Sequence, residues 1–415
     1  MKNILLMLIA MLLVFSCGSP EKPGEKELSD EDLRAKADEL AHKFIIVDGH
    51  VDLPFRMEVK GFMLKKEVED VSKLTEGNFD YPKAKKGGLD APFMSIYVPS
   101  GYQRKGGAKE FADSLISMTT QVATTYPDQF ALARNPTDIR QNFENGVISL
   151  PLGMENGAPI EDDIANVKYF YDRGIRYITL THSKDNQISD SSYDTVQTWK
   201  GLSPFGEEVV AEMNRVGIMV DVSHISDSAF YDVMKIVKAP VIASHSSARK
   251  FTPGFQRNMD DDMLKKLAEN GGVIHINFGS SFLSKESRDK FNAMREHLTN
   301  YRVDNKLKEE DQEYKDYEKQ YKEKYIAENN PFENITTAAE HIDHVVKLIG
   351  IDYVAFGSDF DGVGDSLPEG LKDVSMYPNL IYQLLKMGYS EEDIEKICYK
   401  NTFRVWNKVI EVAQQ

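Results

Sequence analysis

The sequence predicts an α/β protein folded as one (β/α)8 barrel, a TIM barrel, and three observations carry that expectation. Eight short, β-prone apolar runs recur along the chain, amphipathic helical stretches separate most of them, and several runs end on a residue able to bind metal. Strand–helix alternation repeated eight times describes a parallel barrel, which gathers its active site at the C-terminal ends of its strands. With 415 residues, 41% of them hydrophobic, the chain can bury such a core.

The first residues stand outside the pattern. Lys2 precedes the apolar run Ile4 to Phe15, too short to span a bilayer comfortably, and Val14-Phe15-Ser16-Cys17 closes it. Residues 1–16 read as a lipoprotein signal peptide, with Cys17 as the lipidated N-terminus of the processed chain. An ordinary signal peptide with an incidental cysteine is the rival reading. Lipidation would hold the protein in a bacterial cell envelope, membrane-attached and outside the cytoplasm. Residues 17–32, rich in Pro, Gly, Glu, Lys and Ser, read as a flexible tether, and 33–415 as a single barrel domain. With Cys17 acylated only Cys398 is left, which excludes an intrachain disulfide and a Cys-rich metal site.

The expected strands are 44–49, 92–98, 147–152, 176–181, 218–223, 240–244, 272–277 and 353–358, with helices over 108–125, 161–173, 205–216, 226–237 and 260–269 among them. Residues 281–330 break the rhythm. There 23 of 50 side chains are charged, 11 basic and 12 acidic, with opposite charges three or four apart and tyrosines dispersed among them. That spacing predicts a solvated helical insertion between strands seven and eight; a lid or subunit contact is the second reading. The formal charge of −16 speaks against a nucleic-acid partner, whose phosphates require a basic footprint.

The chemistry lies at the strand ends. His50 and Asp52 are two residues apart, so in a strand they emerge on the same side and can grip one ion. Glu155 follows the third expected strand between Gly153 and Gly157, glycines that suit a tight turn with backbone close to something bound. His224 and His245 follow the fifth and sixth. Three histidines and two carboxylates are the nitrogen and oxygen donors that zinc prefers, and Glu155 is the natural bridge between two ions. Ions about 3.5–4 Å apart can share a hydroxide and clamp the oxygens of a hydrolytic transition state. His182, after strand four, is open to three roles: sixth ligand, oxyanion donor or packed core residue. Asp359, after the last strand, is the candidate proton acceptor and donor, with Asp361 as competitor.

Taken in order, the segments VDGHVDLP, GMENG, RYITLTHS, VDVSH, ASHSSAR, RNMDDD and GSDFDG resemble the membrane dipeptidase (renal dipeptidase) family of dinuclear zinc peptidases, from about residue 44 to 405. The resemblance implies a barrel of the metal-dependent hydrolase type holding two Zn2+ per chain, His50 and Asp52 on one ion, His224 and His245 on the other, and Glu155 bridging. It also implies His182 at the substrate carbonyl, Asp359 as acid/base, Arg257 on the substrate's terminal carboxylate, and a homodimer. Guanidinium geometry suits that bidentate task. The function so implied is zinc-dependent hydrolysis of free dipeptides through a hydroxide bridging the two ions. Two alternatives stay open: a related barrel amidohydrolase acting on a lactam, lactone or N-acyl amino acid, and a non-catalytic solute-binding lipoprotein. Asn156 stands where many relatives carry Gly, an exchange expected to narrow the pocket. His42, His297, His341 and His344 match no family site, and His275 is expected to pack inside the barrel.

Overall fold

In the computed structural model, which describes residues 28–59 and 69–415, eight parallel strands close into a barrel. They are Ile46–Val51 (β1), Leu89–Tyr97 (β2), Leu152–Glu155 (β5), Ile175–Thr179 (β6), Met219–Asp221 (β7), Ile242–Ser246 (β8), Val273–Ile276 (β9) and Val354–Phe356 (β10). Phe130–Leu132 (β3) and Ile148–Leu150 (β4) form a separate two-stranded sheet. In space the barrel runs β1-β10-β9-β8-β7-β6-β5-β2. Nearly every residue of the barrel strands is buried, as parallel strands coated by helices require. The β1–β10 pair, in register at Asp48 and Phe356, joins the two ends of the chain and completes the ring.

The expected third strand, 147–152, divides at Pro151. Its first part is β4, in the side sheet with β3, a strand too short to register in the sequence pattern. The barrel strand begins at Leu152 instead. Proline has no N–H for a ladder, so the two pieces part there. Glu155 is consequently the last residue of a barrel strand, not a residue beyond it. A second boundary also moves. The helix Asp30–Lys43 starts inside the stretch expected to be tether, because Ser29 and Asp32 form a reciprocal capping box. The signal segment and Cys17 lie outside the described residues. No helix among the described residues is long and apolar enough to cross a membrane.

The five expected helices form, as Ala108–Thr125, Ala165–Arg173, Pro204–Val216, Asp227–Ile236 and Asp261–Asn270. The charged segment folds as a hairpin of two helices, Lys285–Asp304 and Gln312–Asn329, between β9 and β10. Phe291, Met294 and Leu298 of the first helix pack with Tyr317, Tyr321, Tyr325 and Phe332 in a small cluster separate from the barrel core.

Candidate metal centre and active site

β1 delivers His50 and releases Asp52 as the residue before a short helix. β5 ends on Glu155, and β8 carries His245. His182, His224 and Asp359 each sit three residues past β6, β7 and β10. These seven side chains meet at the barrel mouth around the Glu155 carboxylate. One of its oxygens faces His50 Nε2 at 3.4 Å; the other faces the Nε2 atoms of His224, His245 and His182 at 3.1, 3.2 and 3.5 Å. Asp52 lies 3.4 Å from His50 Nε2, and His224 and His245 Nε2 are 2.9 Å apart. Three overlapping triads bring donor atoms within 4.8 Å of one another: His50, Glu155 and His245; Glu155, His182 and His224; His50, Asp52 and Asp359.

A second layer orients the rings. Tyr177 donates its hydroxyl to Gly49 O at 3.1 Å, so it accepts from His50 Nδ1 at 2.9 Å and leaves Nε2 bare. Gly153 makes this possible: a Cβ there would lie 1.9 Å from the Tyr177 ring. The missing side chain admits tyrosine, not a ligand as expected, and a Cβ at Gly157 would likewise meet protein, Ile188 at 2.6 Å. Ser244 donates to Asp221 at 2.6 Å and accepts from His245 Nδ1 at 2.7 Å, an Asp–Ser–His relay that again turns Nε2 toward the centre. Asn156 does not narrow the cleft. It adopts a left-handed φ of 82°, which asparagine tolerates best after glycine, and its amide is spent on Val98 O and Gln103.

The electrostatics suit cations. Burial, reinforced by Arg257, holds the His224 and His245 imidazoles neutral, well below the ordinary histidine range. Burial alone would raise the Glu155 carboxyl, but the surrounding imidazoles hold it far below the usual range. His50 Nε2, Asp52 Oδ1, His182 Nδ1 and His224 Nδ1 are buried without a hydrogen-bond partner. Burial would lower the His50 imidazole, but Tyr177, Glu155 and Asp52 raise it well above the ordinary range, so it would give up a proton to a metal; with the neutral His224 and His245 and the carboxylates, it offers the nitrogen and oxygen donors that fit divalent metal.

Asp359 and Asp361 separate clearly. Both have left-handed backbones, with φ of 62° and 68°. Asp361 is fully engaged, by Arg56 at 2.6 Å and the Asn78 N–H at 2.7 Å. Asp359 faces the centre and accepts from Asn277 Nδ2 at 2.8 Å, and burial together with the Asp52 and Glu155 charges pushes its carboxyl well up. Asn277 went unread in the sequence, although the run 272–277 ends on it. Arg257 is 3% exposed, bound to Ser246 Oγ and His245 O at 2.7 and 2.8 Å, with Nε unpartnered and no carboxylate paired to it among the described residues. A cleft of about 890 Å³ opens above the cluster, walled by Phe55, Tyr97, Tyr193, Phe255 and Phe282. His275, His341 and His344 lie elsewhere: His275 bonds Thr402 inside the barrel, His341 bonds Leu283 O and His344 pairs with Asp261.

Residues 34–415 match the family model described as membrane dipeptidase, peptidase family M19. The chain belongs to the membrane dipeptidase family. It is a metal-dependent dipeptidase built on the barrel described above. Among solved structures it is similar to the probable dipeptidase PvdM from Pseudomonas aeruginosa, at 25% identity and a TM-score of 0.77, over 92% of this chain and 100% of that one. An amidohydrolase from Pseudomonas aeruginosa shares the fold at 24% identity and TM-score 0.67, over 90% and 98% of the two chains. So does a metallo peptidase from Rhodobacter sphaeroides, at 24% and 0.69 over 88% and 99%, which was solved with a phosphinate mimic of the dipeptide L-Ala-D-Ala.

Proposed function

We propose that this dipeptidase is a zinc enzyme that holds two ions, His50 and Asp52 on one, His224 and His245 on the other and Glu155 between them, and hydrolyses free dipeptides. The observation that carries the substrate reading is Arg257. A buried guanidinium without a carboxylate is costly, and here it lies against the metal centre, bonded to the backbone of a ligand. A substrate's terminal carboxylate would complete it, and chain length would be restricted because that carboxylate is read beside the chemistry. Bound metal supplies Lewis acidity and an acidified water molecule. His182, on the cleft wall against Tyr97, is placed to donate to the peptide carbonyl oxygen as charge develops there. Asp359, steered by Asn277, takes the proton from water and passes it to the leaving amine. The dipeptide mimic bound by the Rhodobacter sphaeroides protein supports the same substrate class. The sequence before residue 28 supports attachment to the cell envelope through lipidated Cys17, and a homodimer is the family expectation.

A double cycle of enzyme and substrate tests the reading. Amidating a dipeptide's C-terminus should lower kcat/KM by roughly 10–10³-fold, the worth of a buried charge-assisted contact. Arg257→Met should lose a similar factor on the free dipeptide and little more on the amide. Losses that simply add would remove Arg257 from the carboxylate and leave only the broader amidohydrolase activity.

A further inference from the structure

The first hairpin helix, Lys285–Asp304, has two faces. One buries Phe291, Met294 and Leu298 within the hairpin. The other, at positions 288, 292 and 295, presents Arg288, Asn292 and Arg295 as one wall of the cleft, spacing that keeps three side chains on one side of a helix. Among the described residues the two arginines have few partners. Arg288 Nη1 is buried without a partner, Nη2 reaches only Pro253 O at 3.5 Å, and the guanidinium lies 4.7 Å over the Phe255 ring. Arg295 meets only Asn292 Oδ1, at 3.4 Å. Of the other carboxylates that line the cleft, Asp289 pairs with Lys285 and Asp361 with Arg56.

Their position relative to Arg257 is defined by two aromatic rings. Arg257 lies 5.4 Å from the Phe282 centroid, Phe282 meets Phe255 edge-on at 5.7 Å, and Arg288 covers Phe255. The two guanidiniums thus bracket an apolar pair on the side of the cleft where a substrate's C-terminal residue would lie. We propose that Arg288, with Arg295 further out, receives a second carboxylate carried on the side chain of that residue, so that dipeptides ending in aspartate or glutamate are the preferred class. This deepens the dipeptidase reading and rests on Arg257 holding the terminal carboxylate. Phe255 and Phe282 pack against the methylenes between the two charges, and the arginines supply planar, bidentate partners.

Alanyl-glutamate, alanyl-glutamine and alanyl-leucine, each with an L- or a D-configured second residue, give the test on metal-loaded enzyme. For the favoured configuration the wild type should prefer glutamate to its isostere glutamine by roughly 10- to 100-fold in kcat/KM. In Arg288→Met that ratio should fall to near unity, in Arg295→Met it should fall partway, and in Arg288→Lys part of it should survive. Because each ratio is measured within one preparation, a variant that folds poorly still reports it. Equal rates on glutamate and glutamine in the wild type, or an unchanged ratio in Arg288→Met, overturn the proposal while hydrolysis of alanyl-leucine keeps the dipeptidase reading intact. A wild type that cleaves none of the dipeptides overturns both.

Discussion

The barrel mouth and the helical hairpin beside it both concentrate charged and aromatic side chains, yet they are organised by opposite rules. At the mouth, supporting partners stand behind several of the central side chains and leave their inward atoms bare: Tyr177 behind His50, Ser244 and Asp221 behind His245, Asn277 behind Asp359. The backbone there is bent to suit, with His224 held at a φ of 69°, a conformation that β-carbon sterics disfavour and that clusters at functional sites. The hairpin instead pairs its charges along exposed helix faces, as in Lys290–Glu286 and Lys322–Glu318, and stacks tyrosines such as Tyr301 and Tyr317. Charges count for chemistry where they are desolvated and supported, and for solubility where they are not. A dense charge run in a sequence therefore says less about function than a single histidine at a strand end.

The contrast breaks first, and most completely, at Glu155. Glu155→Gln removes the charge around which four imidazoles converge, so at least one metal equivalent should be lost and turnover should fall by more than about 10³-fold. Metal analysis returning two equivalents would refute the bridging role. Asp359→Asn should keep its metal and an almost unchanged KM while kcat drops by about 10²–10⁴-fold. If Asp361→Asn shows that pattern instead, the acid/base assignment passes to the wrong-looking carboxylate, the one already tied to Arg56.

The far end of the barrel sharpens the comparison, because burial there comes without an opposing charge in contact. Asp90, at the start of β2, accepts only the Ile46 N–H among the described residues, and burial raises its carboxyl to about 7. A folded-state value above the unfolded one means that the neutral form stabilises the fold. This contribution is full below about pH 4 and is lost as pH rises through 7. Asp90→Asn should therefore stabilise the protein at pH 8 by up to about 2–4 kcal/mol relative to wild type, with the gap closing by pH 4, as denaturant titrations at both pH values would show. A gap independent of pH would remove Asp90 as its source. Smaller again, Tyr177→Phe should weaken metal binding by about 10–100-fold in chelator competition, the usual worth of an outer partner to a metal-binding histidine. The hairpin supplies the smallest effect: breaking the exposed Lys324–Glu328 pair by Lys324→Ala should change stability by less than about 0.5 kcal/mol.

What the sequence could convey follows the same division. The barrel was legible because apolar runs alternate with helical stretches and several run into residues able to bind metal, and the seven side chains read from those ends do converge. The third strand was misplaced because apolar residues continue on both sides of Pro151, and only the proline marks the change of sheet. Arg257 lies in a loop, where no periodicity flags it, and it was reached only through family resemblance. Asn277 was passed over because an amide is a weak ligand, although its role is to hold a carboxylate. The inward face of the hairpin was hidden by its composition: Arg288 and Arg295 look like any solvated charge until the cleft is seen beside them.

The closing pair of strands has a consequence in time. The Asp359 N–H donates to the His50 carbonyl at 3.0 Å, and the Asp52 N–H donates to Phe360 O at 2.8 Å, so the first and last parts of the centre are stitched directly together. During translation His50 and Asp52 leave the ribosome early, and β10 follows only near the end. A chain released before Val354 carries His50, Asp52, Glu155, His224 and His245, yet its β1 and β9 edges stand open and Asp359 is missing. Such a chain can neither close the ring nor bring Asp359 beside His50 and Asp52, so the seven-residue cluster is complete only once β10 has been made.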